Sequence, residues 1–235
     1  MDLTAKDAAR MLNVPEAQIH AWIRNGTLPS YRIQDRYRLN RVELLEWAAA
    51  RNIKVVPEFF REDRETTGDL PLADALARGG VRYEVPCDDK ASALKAVCGL
   101  LKLPPQIDRD ELHGVLVARE ALCSTGIGGG IAIPHPRGPI VLGLSEPHVT
   151  LAFLARPIDF HALDGKPVSI LFVIISTTVH VHLTLLSHLM FALQDAEFRG
   201  LLDRRGSEKA ILAKSAEIER RVVEGAGGRA KGAAR

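Results

Sequence analysis

The chain has 235 residues, of which 46% are hydrophobic and 26% charged, and its formal net charge is +2. That balance describes a folded globular chain with room for one large or two modest domains, and excludes a disordered or fibrous one. No apolar run reaches the length of a membrane span, and a net charge so close to zero decides nothing about nucleic acid on its own.

In chain order, the first ten residues, MDLTAKDAAR, lack the basic end and apolar core of a signal peptide, so a cytoplasmic location is expected. Thr4 with Asp7 three residues later reads as a capping box opening a helix from Ala5 to Leu12. Pro15 stands near the start of a second helix, Glu16 to Asn25, which sets Ile19, Trp22 and Ile23 on one face and ends at Gly26. Tyr31, Ile33, Tyr37 and Leu39 predict two short strands around a turn at Gln34-Asp35, a wing. Asn40 caps a third helix, Val42 to Arg51. Residues 1–51 are therefore a small winged helix-turn-helix, with Trp22 and Trp47 as core residues.

This arrangement resembles the excisionase/MerR-type helix-turn-helix. The resemblance implies that the second helix enters a DNA groove and the wing touches the backbone. It assigns DNA contacts to Gln18, His20 and Arg24 on the helix and to Arg32, Arg36 and Arg38 in the wing. Residues 1–51 hold eight Lys or Arg against six Asp or Glu, which is feeble for a lone DNA binder, so protein docking stays open as the alternative role.

Residues 52–70 read as a linker with apolar Val55, Val56, Phe59 and Phe60, which either dock on a domain or form a dimer contact. From residue 71 to 224, helices and strands interleave. The pattern predicts helices at Leu72–Ala77, Lys90–Leu101 (capped by Asp88), Arg109–Arg119, His180–Leu193 and Ser207–Val222. It predicts strands at Val81–Val85, Val149–Leu154 and Ser169–Ile175. This is an α/β fold, a mixed sheet flanked by helices. The last stretch, 225–235, has no apolar pattern and is expected to be disordered.

The chemistry-bearing stretch is Ser124 to His135, STGIGGGIAIPH. Gly126, Gly128, Gly129 and Gly130 allow backbone N–H groups to converge on an anion, and Pro134 restricts the backbone so that His135 is presented. The loop lacks the Lys-Ser/Thr pair of a P-loop, and Ile131 stands where a dinucleotide fingerprint needs a small residue. A tight strand-to-strand turn carrying an ordinary histidine is the plain alternative. Cys87, Cys98 and Cys123 show no C-x-x-C spacing, so neither a disulfide framework nor a zinc ribbon is indicated; Cys123, near the glycine loop, is expected to be a buried structural residue, with a redox-sensitive thiol as the alternative. The remaining histidines lack a ligand spacing, so no metal is expected.

The segment REALCSTGIGGGIAIPH, with LPPQ at 103–106, DFHALDGKPVSILFVI at 159–174 and HLTLLSHL at 182–189, resembles the fructose/mannitol-type IIA domains of the bacterial phosphotransferase system, nitrogen-regulatory branch. The resemblance implies that His135 is the phosphorylated residue, with Arg119 and His182 as its active-site partners. Thr125 and the amides of Gly126, Gly128, Gly129 and Gly130 are expected to complete a cradle for the phosphoryl oxygens, and no cofactor is expected. Gly129 departs from the asparagine common in that branch, and Arg137 after the histidine adds positive charge. The implied donor is an HPr-type phosphocarrier. Two roles follow: a phosphohistidine signal coupled to DNA binding, or a relay in sugar uptake that passes phosphate to a separate IIB protein, with the N-terminal module used for docking.

Overall fold

A computed structural model describes residues 2–33, 36–51, 53, 55–56, 70–105, 107–136, 144, 146–162 and 164–230. The expected Gln34-Asp35 turn, Phe59, Phe60, most of the linker, Arg137 and residues 231–235 lie outside them, as does the side chain of Arg36.

The N-terminal module comprises α1 (Ala5–Leu12), α2 (Glu16–Arg24) and α3 (Arg41–Ala50) with a three-stranded sheet. The two wing strands, β2 (Tyr31–Ile33) and β3 (Arg36–Asn40), pair antiparallel as expected. A further short strand, β1 (Asp2–Leu3), adds to β3. Helix α1 starts at the Thr4–Asp7 capping box, and Gly26 after α2 has φ 65°, a left-handed position where glycine carries no Cβ penalty. Trp22 and Trp47 pack with ring centroids 4.8 Å apart, and the indole N–H of Trp47 donates to the Thr27 carbonyl at 2.5 Å. Both tryptophans are thus inward residues. Val55 is buried against this module, and the Val56 amide donates to the Met11 carbonyl, so this part of the connecting segment docks on the helices.

The larger domain is built on a five-stranded mixed sheet. Its strands are β4 (Val81–Val85), β5 (Gly126–Gly128), β6 (Ile131–Ala132), β7 (His148–Ile158) and β8 (Val168–Ile175), in the order β4-β7-β8-β6-β5. Strand β8 is central and its side chains alternate between two cores. Ile170, Phe172 and Ile174 face one; Leu171, Val173 and Ile175 face the other. The first core is closed by α4 (Leu72–Gly79), α7 (Val179–Ala192), α8 (Ala196–Asp203) and α9 (Glu208–Ala230); the second by α5 (Lys90–Leu100) and α6 (Arg109–Leu122). The end of α4 comes so close to the sheet that a Cβ on Gly79 would sit 2.1 Å from the Val149 carbonyl oxygen.

Several boundaries differ from expectation. Asp89, not Asp88, caps α5, because its carboxylate is the one that reaches the Ser92 amide. Helix α6 continues three residues past Arg119. Helix α8, capped by Asp195, was not expected at all. Helix α9 runs on to Ala230, into the stretch expected to be disordered.

The two modules share one core. Helix α3 packs against α7 and β5, and Leu44, Leu45 and Ala48 join the apolar cluster that includes Leu183, Leu186 and Ile131.

Candidate active site

The glycine-rich stretch is a hairpin. β5 and β6 pair antiparallel, and Gly129-Gly130 turn between them with φ of 60° and 78°. Two consecutive positive φ values match the right-handed twist of the flanking strands and exclude most residues other than glycine. The chain then leaves β6 through Ile133 and Pro134 and delivers His135.

His135 is 3% exposed and His182 is 7% exposed; their rings lie 4.6 Å apart, centroid to centroid, tilted by 38°. His182 stands in the first turn of α7, which the Thr178 hydroxyl caps by accepting from the Val181 amide. The Nδ1 atom of His135 lies 2.8 Å from the Ile133 carbonyl oxygen. A carbonyl can only accept, so Nδ1 carries the proton. In the neutral ring the lone pair therefore sits on Nε2.

Arg119 lies in the last turn of α6, 9% exposed, and its guanidinium donates to the Cys123 carbonyl at 2.8 Å, bracing the entry to the hairpin. Next to it is Glu120, 5% exposed, which sequence reasoning missed. Its carboxylate accepts from the Thr125 amide at 3.0 Å and from the Thr125 hydroxyl at 2.6 Å, and pairs with Lys90 at 3.2 Å. Two other residues were missed. The Arg199 guanidinium of α8 donates to the Gly129 carbonyl at 3.1 Å. The Asp164 carboxylate accepts from the Gly129 amide at 2.8 Å, and that bond holds its carboxyl below the ordinary value.

Several of the loop groups expected to form a cradle have partners within the chain. Gly126 donates to the Ser124 hydroxyl, Gly129 donates to an anion, and Gly128 and Gly130 shape the turn. Thr125 is buried and its hydroxyl is committed to Glu120. The plain alternative, a tight strand-to-strand turn, describes the glycines; the histidine is the unusual part. Cys123 is exposed, against expectation, because the helix ends there with an extended backbone; Cys87 and Cys98 are buried, and burial pushes the Cys98 thiol up to about 11. Among the described residues no group of three or more His, Cys, Asp or Glu side chains could hold a metal ion, and no helix is long and apolar enough to cross a membrane.

On the N-terminal module, Gln18, Arg24 and Arg32 are exposed, while His20 and Arg38 are half-buried. The His20 ring lies 6.1 Å from that of Tyr37, so α2 and the wing form one surface. Glu16 stands 3.6 Å from His20 on the same face.

Fold and site together define a class: α/β domains in which a glycine hairpin presents one imidazole to another at the end of a mixed sheet, here joined to a winged helix-turn-helix. The chain belongs to the family "Phosphoenolpyruvate-dependent sugar phosphotransferase system, EIIA 2", which residues 76–215 match, and residues 3–52 match "Helix-turn-helix domain". It is 36% identical to a nitrogen regulatory protein of Pseudomonas aeruginosa over 153 residues, covering 64% of this chain and 97% of that one. It is also 36% identical to a fructose-specific EIIA component of Haloferax volcanii, over 59% of this chain and 90% of that protein. The crystal structure of nitrogen regulatory protein IIA-Ntr from Neisseria meningitidis superposes with a TM-score of 0.51 at 28% identity, covering 62% of this chain and 94% of that chain.

Proposed function

We propose that this chain is a phosphohistidine signalling protein whose N-terminal module reads out the phosphorylation state at DNA. The carrying observation is the bond from His135 Nδ1 to the Ile133 carbonyl, which assigns the nucleophilic lone pair to Nε2. In the transfer, that lone pair forms the new N–P bond as the bond between phosphorus and the donor's imidazole nitrogen breaks. The departing electron pair returns to the donor. The donor is an HPr-type phosphocarrier.

The proton stays on Nδ1, hydrogen-bonded to the Ile133 carbonyl, so the phosphorylated ring keeps positive character and remains a good leaving group for onward transfer. His182 is the candidate donor to a phosphoryl oxygen, and Arg119 the candidate cation beside it. The start of α7 adds its positive dipole end on the same side. No metal or cofactor is needed, since the reaction asks for alignment and charge stabilisation.

Coupling is supported by the packing of α3 on α7, which carries His182, and on β5, the first strand of the hairpin that leads to His135. A phosphoryl group adds roughly 1.5 to 2 negative charges, and such a charge at this junction changes its packing energy. Meanwhile Gln18, Arg24 and Arg32 remain exposed for DNA. The relatives named nitrogen regulatory proteins favour a signalling role over sugar uptake.

The test is incubation of the full chain with phosphoenolpyruvate and the general phosphotransferase proteins, followed by gel shift on random duplex DNA. An acid-labile phosphate is expected on the wild type, none on His135→Ala, and slower uptake on His182→Ala. Labelled and unlabelled chain are expected to differ in DNA affinity. Label persisting on His135→Ala overturns the acceptor assignment; equal affinities overturn the coupling.

A further inference from the structure

We infer that Glu120 is a positioning residue for His135, acting through three successive hydrogen bonds. The functional consequence rests on the phosphohistidine reading; the geometry does not.

A carboxylate with only 3% of its side chain exposed is expensive to keep ionised. One Lys90 partner, itself 24% exposed, offsets part of that cost. Thr125 adds further stabilisation: its amide and hydroxyl both donate to the same oxygen, Oε2. This clamps the first residue before β5. The Thr125 carbonyl in turn accepts from the Ile133 amide at 3.0 Å, across the mouth of the hairpin. The Ile133 carbonyl then accepts from His135 Nδ1 at 2.8 Å. Ile133 precedes Pro134, which restricts its backbone to extended conformations, so its amide and carbonyl move as one unit. Fixing the Ile133 amide thus fixes the carbonyl that selects the tautomer of His135.

The order of the chain explains why a carboxylate is used. Thr125 presents two donors and Lys90 a third group, all converging on one buried position. Ionised carboxylate oxygens only accept, and together take all three bonds without a competing proton. Ser124 completes the clamp independently: its hydroxyl donates to the Phe160 carbonyl at 2.6 Å and accepts from the Gly126 amide at 3.0 Å. Both ends of the first hairpin residues are thereby anchored to neighbouring structure, and the ring at the far end inherits that order.

The claim separates acceptor capacity from charge. In Glu120→Gln the amide oxygen still takes both Thr125 bonds, while the Lys90 pair is lost. In Glu120→Leu no acceptor remains. The experiment uses the full chain, with two readouts: nitrogen-15 histidine spectra, which report which ring nitrogen of His135 is protonated, and the rate of label uptake from a phosphorylated HPr-type carrier.

For Glu120→Leu we expect a mixture of His135 tautomers and a fall in maximal uptake rate of about tenfold or more, by analogy with the loss of partners that orient metal-ligating histidines, with the carrier's KM unchanged. Glu120→Gln should keep the Nδ1–H tautomer and stay within about threefold of wild type. Thr125→Val removes only the hydroxyl bond and should fall between them, which keeps the test alive if Glu120→Leu does not fold. A folded Glu120→Leu with wild-type tautomer and rate overturns the proposal. So does a Glu120→Gln chain as impaired as Glu120→Leu, which would assign the role to the Lys90 ion pair. If no chain takes label at all, the phosphohistidine reading fails while the tautomer spectra still decide the positioning claim.

Discussion

Gly129 shows how narrowly the hairpin is specified. Its φ of 60° lies in the left-handed region, and a Cβ there would approach Nη2 of Arg199 to 2.6 Å. Asparagine tolerates that backbone region and the end of an arginine can move aside, so asparagine is a natural alternative to glycine at this position. Gly129→Asn is therefore expected to cost no more than about 1 kcal/mol, whereas Gly129→Val forces a β-branched residue into the same region at about 2 kcal/mol or more. Urea unfolding midpoints of the two variants against wild type check this; equal midpoints would remove the backbone argument. At this scale the sequence was readable where residues are adjacent. The glycine cluster and Pro134 announced a tight turn leading to one fixed imidazole, but not that the His135 ring would be buried. Asp164 and Arg199 did not, because they reach Gly129 from 35 and 70 residues away and neither carries a local motif. Glu120 was hidden for a different reason. A glutamate in the last turn of a helix looks like a solvated surface charge until the hairpin folds over it.

Helix starts were legible because capping is a local bargain between a side chain and amides two or three residues on. At α1 the Thr4 hydroxyl accepts from the Asp7 amide and the Asp7 carboxylate accepts from the Thr4 amide at 3.0 Å. These bonds to Thr4 hold the Asp7 carboxyl below its ordinary 3.8, with Arg10 adding to the effect. A folded-state value below the unfolded one means that the contribution is present above about pH 4 and drains away as pH falls through the lowered value. Asp7→Ala is expected to destabilise the N-terminal module by about 1 kcal/mol at neutral pH, with the gap from wild type narrowing toward pH 3. Denaturant titrations at the two pH values test the sign; a gap that widens in acid would refute it. Helix ends and short elements were less legible. Strand β1 has two residues and no periodicity to read. Helix α8 shows Phe198, Leu201 and Leu202 at helical spacing, but over eight residues that pattern does not stand out from loop sequence until Asp195 is seen accepting from the Glu197 and Phe198 amides.

How the two modules meet could not be read from the chain, because docking depends on surfaces that exist only after each has folded. On the larger domain itself, His135 is 3% exposed, whereas the His161 side chain is 74% exposed. On the proposed reading, a carrier protein must bring its own imidazole in line with Nε2, and a ring so buried is met only after the packing around it opens. Acceptance then becomes a two-step process, opening followed by transfer, and the carrier's apparent affinity is reduced by the open fraction; if that fraction were about one in a hundred, the reduction would be about 100-fold. The closed arrangement predicts that carbethoxylation of the full chain, followed residue by residue by mass spectrometry, modifies His161 at least about tenfold faster than His135, the ratio tracking the small open population. It also predicts that label uptake levels off at an opening rate that further carrier cannot raise. Equal modification of the two histidines, or uptake that climbs without limit as carrier is added, would mean that the modules stand apart in solution. In that case the proposed effect of phosphorylation on the N-terminal module would have to travel by some path other than α3.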